Sequence, residues 1–230
     1  MTNLGPIGVI GGTGAHGYGL ALRWAQAGET VIVGSRDGAR ATQTAEKLKG
    51  KLGSATNISG ETNAAVCAAC KLVVLTVPYE GHAELLKELK SAIRPGSIVV
   101  DTTVPLIAAS DGRGRTRAFL PKSVAEQAAE ILGPEVSVVA AFENVGSKML
   151  TTDGPVDCDV IVCGDDPVAV KTARQLAARI PGIRGLDGGP LANACALEHI
   201  TSLLIHFSVR NKAHCGIRIT GLPASAGVVE

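Results

Sequence analysis

The chain has 230 residues, of which 46% are apolar, 19% charged and 3% aromatic, with 22 Lys and Arg against 21 Asp and Glu for a formal net charge of +1. That apolar share supports a buried core and excludes a disordered tail. The even charge balance and scarce aromatics exclude a nucleic-acid binder built on phosphate neutralisation or base stacking.

Ile7-Gly8-Val9-Ile10 is an apolar run ending in glycines, and it predicts a buried first strand. A helical pattern follows over 17–27, then a β-branched strand over 30–33 and a helix over 39–51. A short strand over 55–58, a helix over 61–69, a strand over 72–76, a helix over 81–93 and a strand over 97–101 continue the alternation. Strands that are apolar throughout, separated by helices, predict a Rossmann-type α/β fold with a doubly wound, mostly parallel sheet covered on both faces. Residues 108–122 carry Gly112, Arg113, Gly114, Arg115, Arg117 and Pro121, which predicts a long, basic, mobile connection. Beyond it come a helix over 123–132, strands over 136–141 and 159–163, and a helix over 167–179. At Asp165-Asp166-Pro167 the acids are expected to cap that helix, with proline in its first turn, rather than to hold a metal. A last helix over 191–209 is apolar around much of its circumference and calls for burial against the sheet or a second subunit. The organisation expected is a dinucleotide-binding domain over 1–140 and a smaller, helical C-terminal portion over 141–230. That second portion would complete an acceptor cleft and carry a homodimer interface.

Apolar stretches break well short of the roughly 18 residues a membrane span needs. The N-terminus lacks the basic start of a signal peptide, and the six cysteines come without secretory features, so a cytoplasmic location is expected. Cys67 and Cys70 form a C-x-x-C inside an Ala-rich helical run with no second such pair, and they read as small core residues. His82, His199, His206 and His214 show no spacing that makes a site and read as structural or surface residues.

The strongest local signal is Gly12-x-Gly14-x-x-Gly17 between the first strand and the first helix. The first glycine permits the turn, the second lets backbone approach a pyrophosphate, and the third lets helix and strand pack closely. The helix N-terminus then presents N–H groups and partial positive charge to the phosphates. A dinucleotide with a plain ribose usually meets Asp or Glu at the end of the second strand. Here stand Gly34-Ser35-Arg36, with Arg40 one turn later and Asp37 expected to face solvent or cap the helix. A hydroxyl and two planar guanidinium groups suit a 2′-phosphate, which selects NADP(H). Thr76-Val77-Pro78-Tyr79 and Thr102-Thr103-Val104-Pro105 close the fourth and fifth strands, where ligands of parallel sheets lie, and could floor a nicotinamide.

Together these residues resemble the NADPH-dependent reductases of the deazaflavin coenzyme F420, over about residues 7–219. The carriers are Gly11 to Gly17, Val33-Gly34-Ser35-Arg36, Leu75-Thr76-Val77-Pro78-Tyr79-Glu80, Val162-Cys163-Gly164-Asp165-Asp166 and Leu186-Asp187-Gly188-Gly189-Pro190-Leu191. The resemblance implies that Thr13, Gly14, Ala15 and His16 contact the NADP phosphates, and that Ser35, Arg36 and Arg40 hold the 2′-phosphate. It implies that Val77 and Val104 lie near the nicotinamide and that Ser147 is a further cofactor contact. The acceptor ring would rest between Val104-Pro105 and Glu143-Asn144-Val145. Those last residues, with Gly146, stand where the family carries a His, Thr, Ile, Pro series, and Tyr79 stands for a Trp. The implied chemistry is direct hydride transfer to a small-molecule acceptor, with no protein nucleophile and no metal. The basic stretch Arg113, Arg115, Arg117 and Lys122 would attract the coenzyme's acidic tail or simply be solvated. Two other readings stay open on the residues alone. One is NADPH-dependent reduction of a flavin, pterin, carbonyl or imine, with Glu143, His16, Tyr79 or Lys148 giving a proton. The other is a non-catalytic NADP-binding sensor.

Overall fold

Strand β1 (Ile7–Ile10) leads into helix α1 (Ala15–Gln26), and the alternation runs on through β2 (Val31–Ser35), α2 (Gly38–Leu52), β3 (Ile58–Thr62) and α3 (Asn63–Ala69). It continues with β4 (Leu72–Leu75), α4 (His82–Leu89) and β5 (Ile98–Asp101). A short antiparallel pair, β6 (Leu106–Ala108) and β7 (Arg115–Arg117), precedes α5 (Val124–Leu132) and β8 (Ser137–Ala140). The chain then forms α6 (Ser147–Thr151), β9 (Cys158–Gly164), α7 (Pro167–Ala178), β10 (Ile183–Asp187) and the long α8 (Ala194–Asn211). The computed structural model describes residues 3–53, 56–108, 115–118 and 120–228.

One eight-stranded sheet has the order β10-β9-β8-β5-β4-β1-β2-β3. From β8 to β3 every neighbour is parallel, β9 runs antiparallel to β8, and β10 is parallel to β9. The mostly parallel α/β fold expected from the apolar strands is therefore present. The sheet crosses residue 140 without a break, because Val139 and Ala140 register with Gly164 and Cys163.

Both faces of the sheet are covered. On one, Leu20, Trp24, Phe142, Leu150 and Leu176 belong to one buried cluster, with Trp24 edge-on to Phe142 at 5.6 Å and its Nε1 donating to the Leu176 carbonyl at 3.1 Å. On the other, Leu86, Val99, Leu132, Leu191 and Leu197 pack together. Side chains fix the helix starts. Asp37, Thr62 and Asp166 each accept first-turn N–H groups, and Ser123 with Glu126 forms a reciprocal capping box. Pro167 follows the Asp166 cap, as expected from the sequence, while Asp165 accepts from Leu191 N at 2.9 Å.

Several expectations need correction. The 55–58 strand is displaced to Ile58–Thr62, and Ala55 lies outside the described residues. The 108–122 connection contains strand β7, so it is not wholly irregular; Arg113 and the rest of 109–114 lie outside the described residues. Lys122, for which the sequence leaves a ligand contact or plain solvation open, is exposed and pairs with Glu130. Helix α6 and strand β10 had no sequence expectation. Within the chain α8 buries Ala194, Leu197, Glu198 and Thr201, while Leu203, Phe207 and Val209 stay exposed, so the sheet side of the expected burial is met only in part and the second-subunit alternative stays open. Cys67 and Cys70 do lie in the core, and burial pushes their thiols up to about 12 and about 11. No described helix is long and apolar enough to cross a membrane.

Candidate active site

The turn between β1 and α1 is built around crowding that only glycine tolerates. Gly11 has φ +76°, and a Cβ on it would stand 2.8 Å from Val77 Cγ1. A Cβ on Gly12 would come within 2.9 Å of the Val9 carbonyl, and one on Gly17 within 2.3 Å of Thr76 Oγ1. Gly12 and Gly17 are thus buried packing positions beneath the turn. Gly14 is exposed and caps α1 without any side-chain hydrogen bond, which leaves first-turn N–H groups open to an anion. Thr76 Oγ1 donates to the Ile10 carbonyl at 2.8 Å and so ties the end of β4 to the end of β1.

Two cavities open at the carboxyl ends of the strands. The first, about 540 Å³, is lined by Thr13, Gly14, Ser35, Arg36 and Arg40 among others. Ser35 is buried and its Oγ accepts from Asp37 N at 3.2 Å, while Arg36 and Arg40 are exposed. Asp37 is spent as the α2 cap, accepting from Ala39 N at 2.9 Å and Arg40 N at 3.3 Å. The rim beside β2 is left with a hydroxyl and two guanidinium groups. Glu80, Glu84 and Glu88 line the same cavity.

The second cavity, about 500 Å³, is lined by Ala15, His16, Val104, Glu143, Asn144, Val145 and Ser147, together with Tyr79 and Leu106. Gly14, Thr76, Val77 and Pro78 line both cavities, so the two form one continuous groove across the sheet edge. All the cofactor and acceptor contacts expected from the sequence line this groove except Gly12, Gly17 and Pro105; of the alternative proton donors, Glu143, His16 and Tyr79 line it and Lys148 does not. Pro105 is buried, and its carbonyl accepts from Ala118 N at 2.7 Å.

The second cavity holds unusual polar groups. His16 has its Nε2 buried without a partner among the described residues, and burial lowers its pKa to about 4, so the ring is neutral near pH 7. Asn144 donates Nδ2 to the Asp159 carbonyl at 2.7 Å and leaves Oδ1 unpaired. Glu143 is 8% exposed, with Oε2 unpaired. Burial pushes its carboxyl well above the usual range, opposed in part by its own backbone N–H, and the carboxylates of Asp101 and Glu198 push it further. Phe142 just before it has φ +70°, a strained conformation for an aromatic residue.

Sequence reasoning missed part of this wall. Thr201, Leu204, Ile205 and Ser208 of α8 and Cys215 beyond it also line the second cavity. Their signal was the small and apolar spacing on α8, which reads equally well as core. Also missed was the buried pair behind the floor, His82 Nε2 to Asp101 Oδ2 at 2.7 Å. Asp101 Oδ1 takes the Thr103 N–H at 3.0 Å and so sets the backbone leading to Val104. An acid at the end of an apolar strand was the available hint. No group of three or more His, Cys, Asp or Glu among the described residues is placed to hold a metal.

Comparison with known proteins gives consistent results. A family model described as NADP oxidoreductase, coenzyme F420-dependent, matches residues 6–105. The F420-dependent NADP reductase of Methanothermobacter marburgensis is 41% identical over 222 residues, covering 94% of this chain and 99% of the relative. The protein of the same name from Methanocaldococcus jannaschii is 41% identical over 223 residues, covering 94% and 98%. A crystal structure from Arthrobacter sp. FB24, provisionally described as an F420-dependent NADP-reductase, superposes with a TM-score of 0.77 at 24% identity. It covers 93% of this chain and 98% of that one, and it supports the fold.

Proposed function

This chain belongs to the F420-dependent NADP reductases, and from that premise we propose that it carries hydride between NADP(H) and the deazaflavin coenzyme F420 across the groove described above. It is an NADP-dependent oxidoreductase. The observation that carries the reading is the continuity of the groove, with an arginine-rimmed cavity opening at Gly14 and Thr76–Pro78 into a second cavity of ring size. The residues present fit the dinucleotide, because the crowding at Gly12 and Gly17 leaves no room for side chains under the turn and the α1 N-terminus is uncapped.

In this reading Thr13, Gly14, Ala15 and His16 face the phosphates, and Ser35, Arg36 and Arg40 hold the 2′-phosphate with charge-assisted hydrogen bonds. Bound NADP(H) supplies or receives the hydride. Thr76, Val77, Pro78 and Val104 form the surface for its ring, and Ser147 opens α6 on the opposite side. Glu143, Asn144 and Val145 face the acceptor. The protein's task is to hold two flat rings face to face and exclude water, which by orientation alone can supply much of the rate.

The same reading covers the larger organisation. Residues 1–140 bind the dinucleotide, and 141–230 complete the acceptor side. Two copies pair through the exposed apolar face of α8, which Leu203 and Phe207 support. The six free cysteines support a cytoplasmic location. The test is spectroscopic: NADPH oxidation followed with coenzyme F420 beside FMN and FAD. Reduction of F420 is expected. Turnover with the flavins alone, or with none of the three, would overturn the proposal.

A further inference from the structure

Among the described residues, buried carboxylates have a partner for each oxygen that is shut off from solvent, with one exception. Asp101 meets His82, Glu198 takes the Val124 N–H at 2.6 Å, and Asp159 meets Arg184 and Arg218. Glu143 alone among them lines the acceptor cavity with an oxygen, Oε2, that no described residue pairs. An ionised carboxylate left so would be strongly penalised, whereas a neutral acid keeps an O–H to offer a ligand. The groups facing it from the surrounding elements favour the neutral form. Asp101 at the end of β5 and Glu198 on α8 are acids, and His82 on α4 is engaged by Asp101. His16 on α1 is neutral near pH 7, and the Cys163 thiol on β9 is pushed up to about 12. The strained Phe142 and the turn closed by Val145 N to the Phe142 carbonyl at 3.1 Å hold Glu143 in place.

We propose that Glu143 is a catalytic acid, storing a proton on Oε2 and passing it to the acceptor as the hydride arrives. The proposal rests on the deazaflavin reading above. Full reduction of such an acceptor by NADPH needs one hydride at a ring carbon and one proton at a ring nitrogen conjugated with it. Glu143 breaks its O–H bond to supply that proton, becomes a carboxylate, and regains a proton from solvent after NADP⁺ and product leave. In the opposite direction the carboxylate accepts the same proton while NADP⁺ accepts the hydride.

Two readouts on the full chain with NADP⁺ or NADPH bound test this. Infrared difference spectra should show a carboxylic-acid carbonyl band at pH 7 that Glu143→Gln removes and Glu143→Asp keeps. Single-turnover reduction of F420 should slow about 100-fold or more in Glu143→Gln, with NADPH affinity within twofold of the parent, and recover partly in Glu143→Asp. Absence of the band from the parent protein overturns the proposal, even if the Gln variant fails to fold. So does a Gln variant that reduces F420 at the parental rate, an outcome that leaves the deazaflavin reading standing. A parent protein that binds NADPH but never reduces F420 removes both.

Discussion

Asp37 and Arg36 are neighbours with opposite duties. The carboxylate of Asp37 is turned inward onto the N–H groups of Ala39 and Arg40, so it is withdrawn from any ribose, while Arg36 stays exposed at the cavity rim. Removing a guanidinium from a phosphate therefore affects NADP(H) and hardly touches NAD(H). Arg36→Ala and Arg40→Ala should each weaken NADP⁺ binding by about tenfold or more, on the order of 1.4 kcal/mol or above, and leave NAD⁺ titrations unchanged. Equal weakening of both dinucleotides would show that the arginines serve the fold instead. Glu143 gives a second residue-scale expectation. Its carboxyl is raised above 4.5 in the folded chain, so as pH climbs past that value the unfolded chain sheds a proton that the folded chain keeps. Stability then declines with rising pH. Glu143→Gln should remove that slope, so its melting temperature should gain on the parent at pH 8 relative to pH 4. A constant offset across that range would exclude a raised carboxyl. The glycine turn and the arginine rim were readable in the sequence because each depends on residues within one strand–helix unit. Glu143 could be named only as a candidate, because its neighbours Asp101 and Glu198 arrive from distant elements.

At the scale of elements, α1 works at both ends. Its N-terminus faces the groove, and near its C-terminus the buried Arg23 fans onto the end of α6, donating Nε to Leu150 O at 2.7 Å, Nη1 to Gly154 O at 2.8 Å and Nη2 to the Thr152 carbonyl. A guanidinium on the last carbonyls of a helix satisfies acceptors that the helix cannot. Arg23→Met should lower unfolding free energy by about 2–4 kcal/mol in denaturant titrations, and it should raise the acceptor's KM more than that of NADPH. A variant as stable as the parent would mean that α6 is held otherwise. The sequence offered no sign of α6, since a five-residue helix has too little periodicity and its anchor lies over a hundred positions away. Strand β10, Ile-Arg-Gly-Leu-Asp, was hidden for a similar reason: it is an edge strand with a charged residue and a glycine in its middle, packed close to Arg174 of α7. The link between α4 and β5 also responds to pH. Burial pulls the His82 imidazole down, but Asp101 overrides this and leaves its pKa raised above 6.5. The pair's contribution is complete below that pH and fades as pH rises through the folded-state value. His82→Gln should flatten this alkaline decline in melting temperature; an unchanged profile would place the proton elsewhere.

For the whole molecule, the parallel core was legible because fully covered strands must be apolar at every position, and the eight-stranded sheet follows that pattern from β8 to β3. The pairing of β9 with β8 was not, because direction reverses there without any change in composition. The bare outer half of α8 belongs to this scale too. Leu203 and Phe207 are 54% and 46% exposed, one helical turn apart on a helix that also walls the acceptor cavity. Replacing both with Glu should shift the sedimentation mass from dimer to monomer at micromolar protein. A parent chain already monomeric at that concentration would end the dimer proposal.

The residues shared by the two cavities, Gly14 and Thr76 to Pro78, mark the place where one ligand chamber meets the next. Once the nucleotide is seated, its own flat face becomes part of the neighbouring room. The second guest would therefore meet a surface that the empty protein does not have, and steady-state kinetics in which the nucleotide arrives first are the expected outcome.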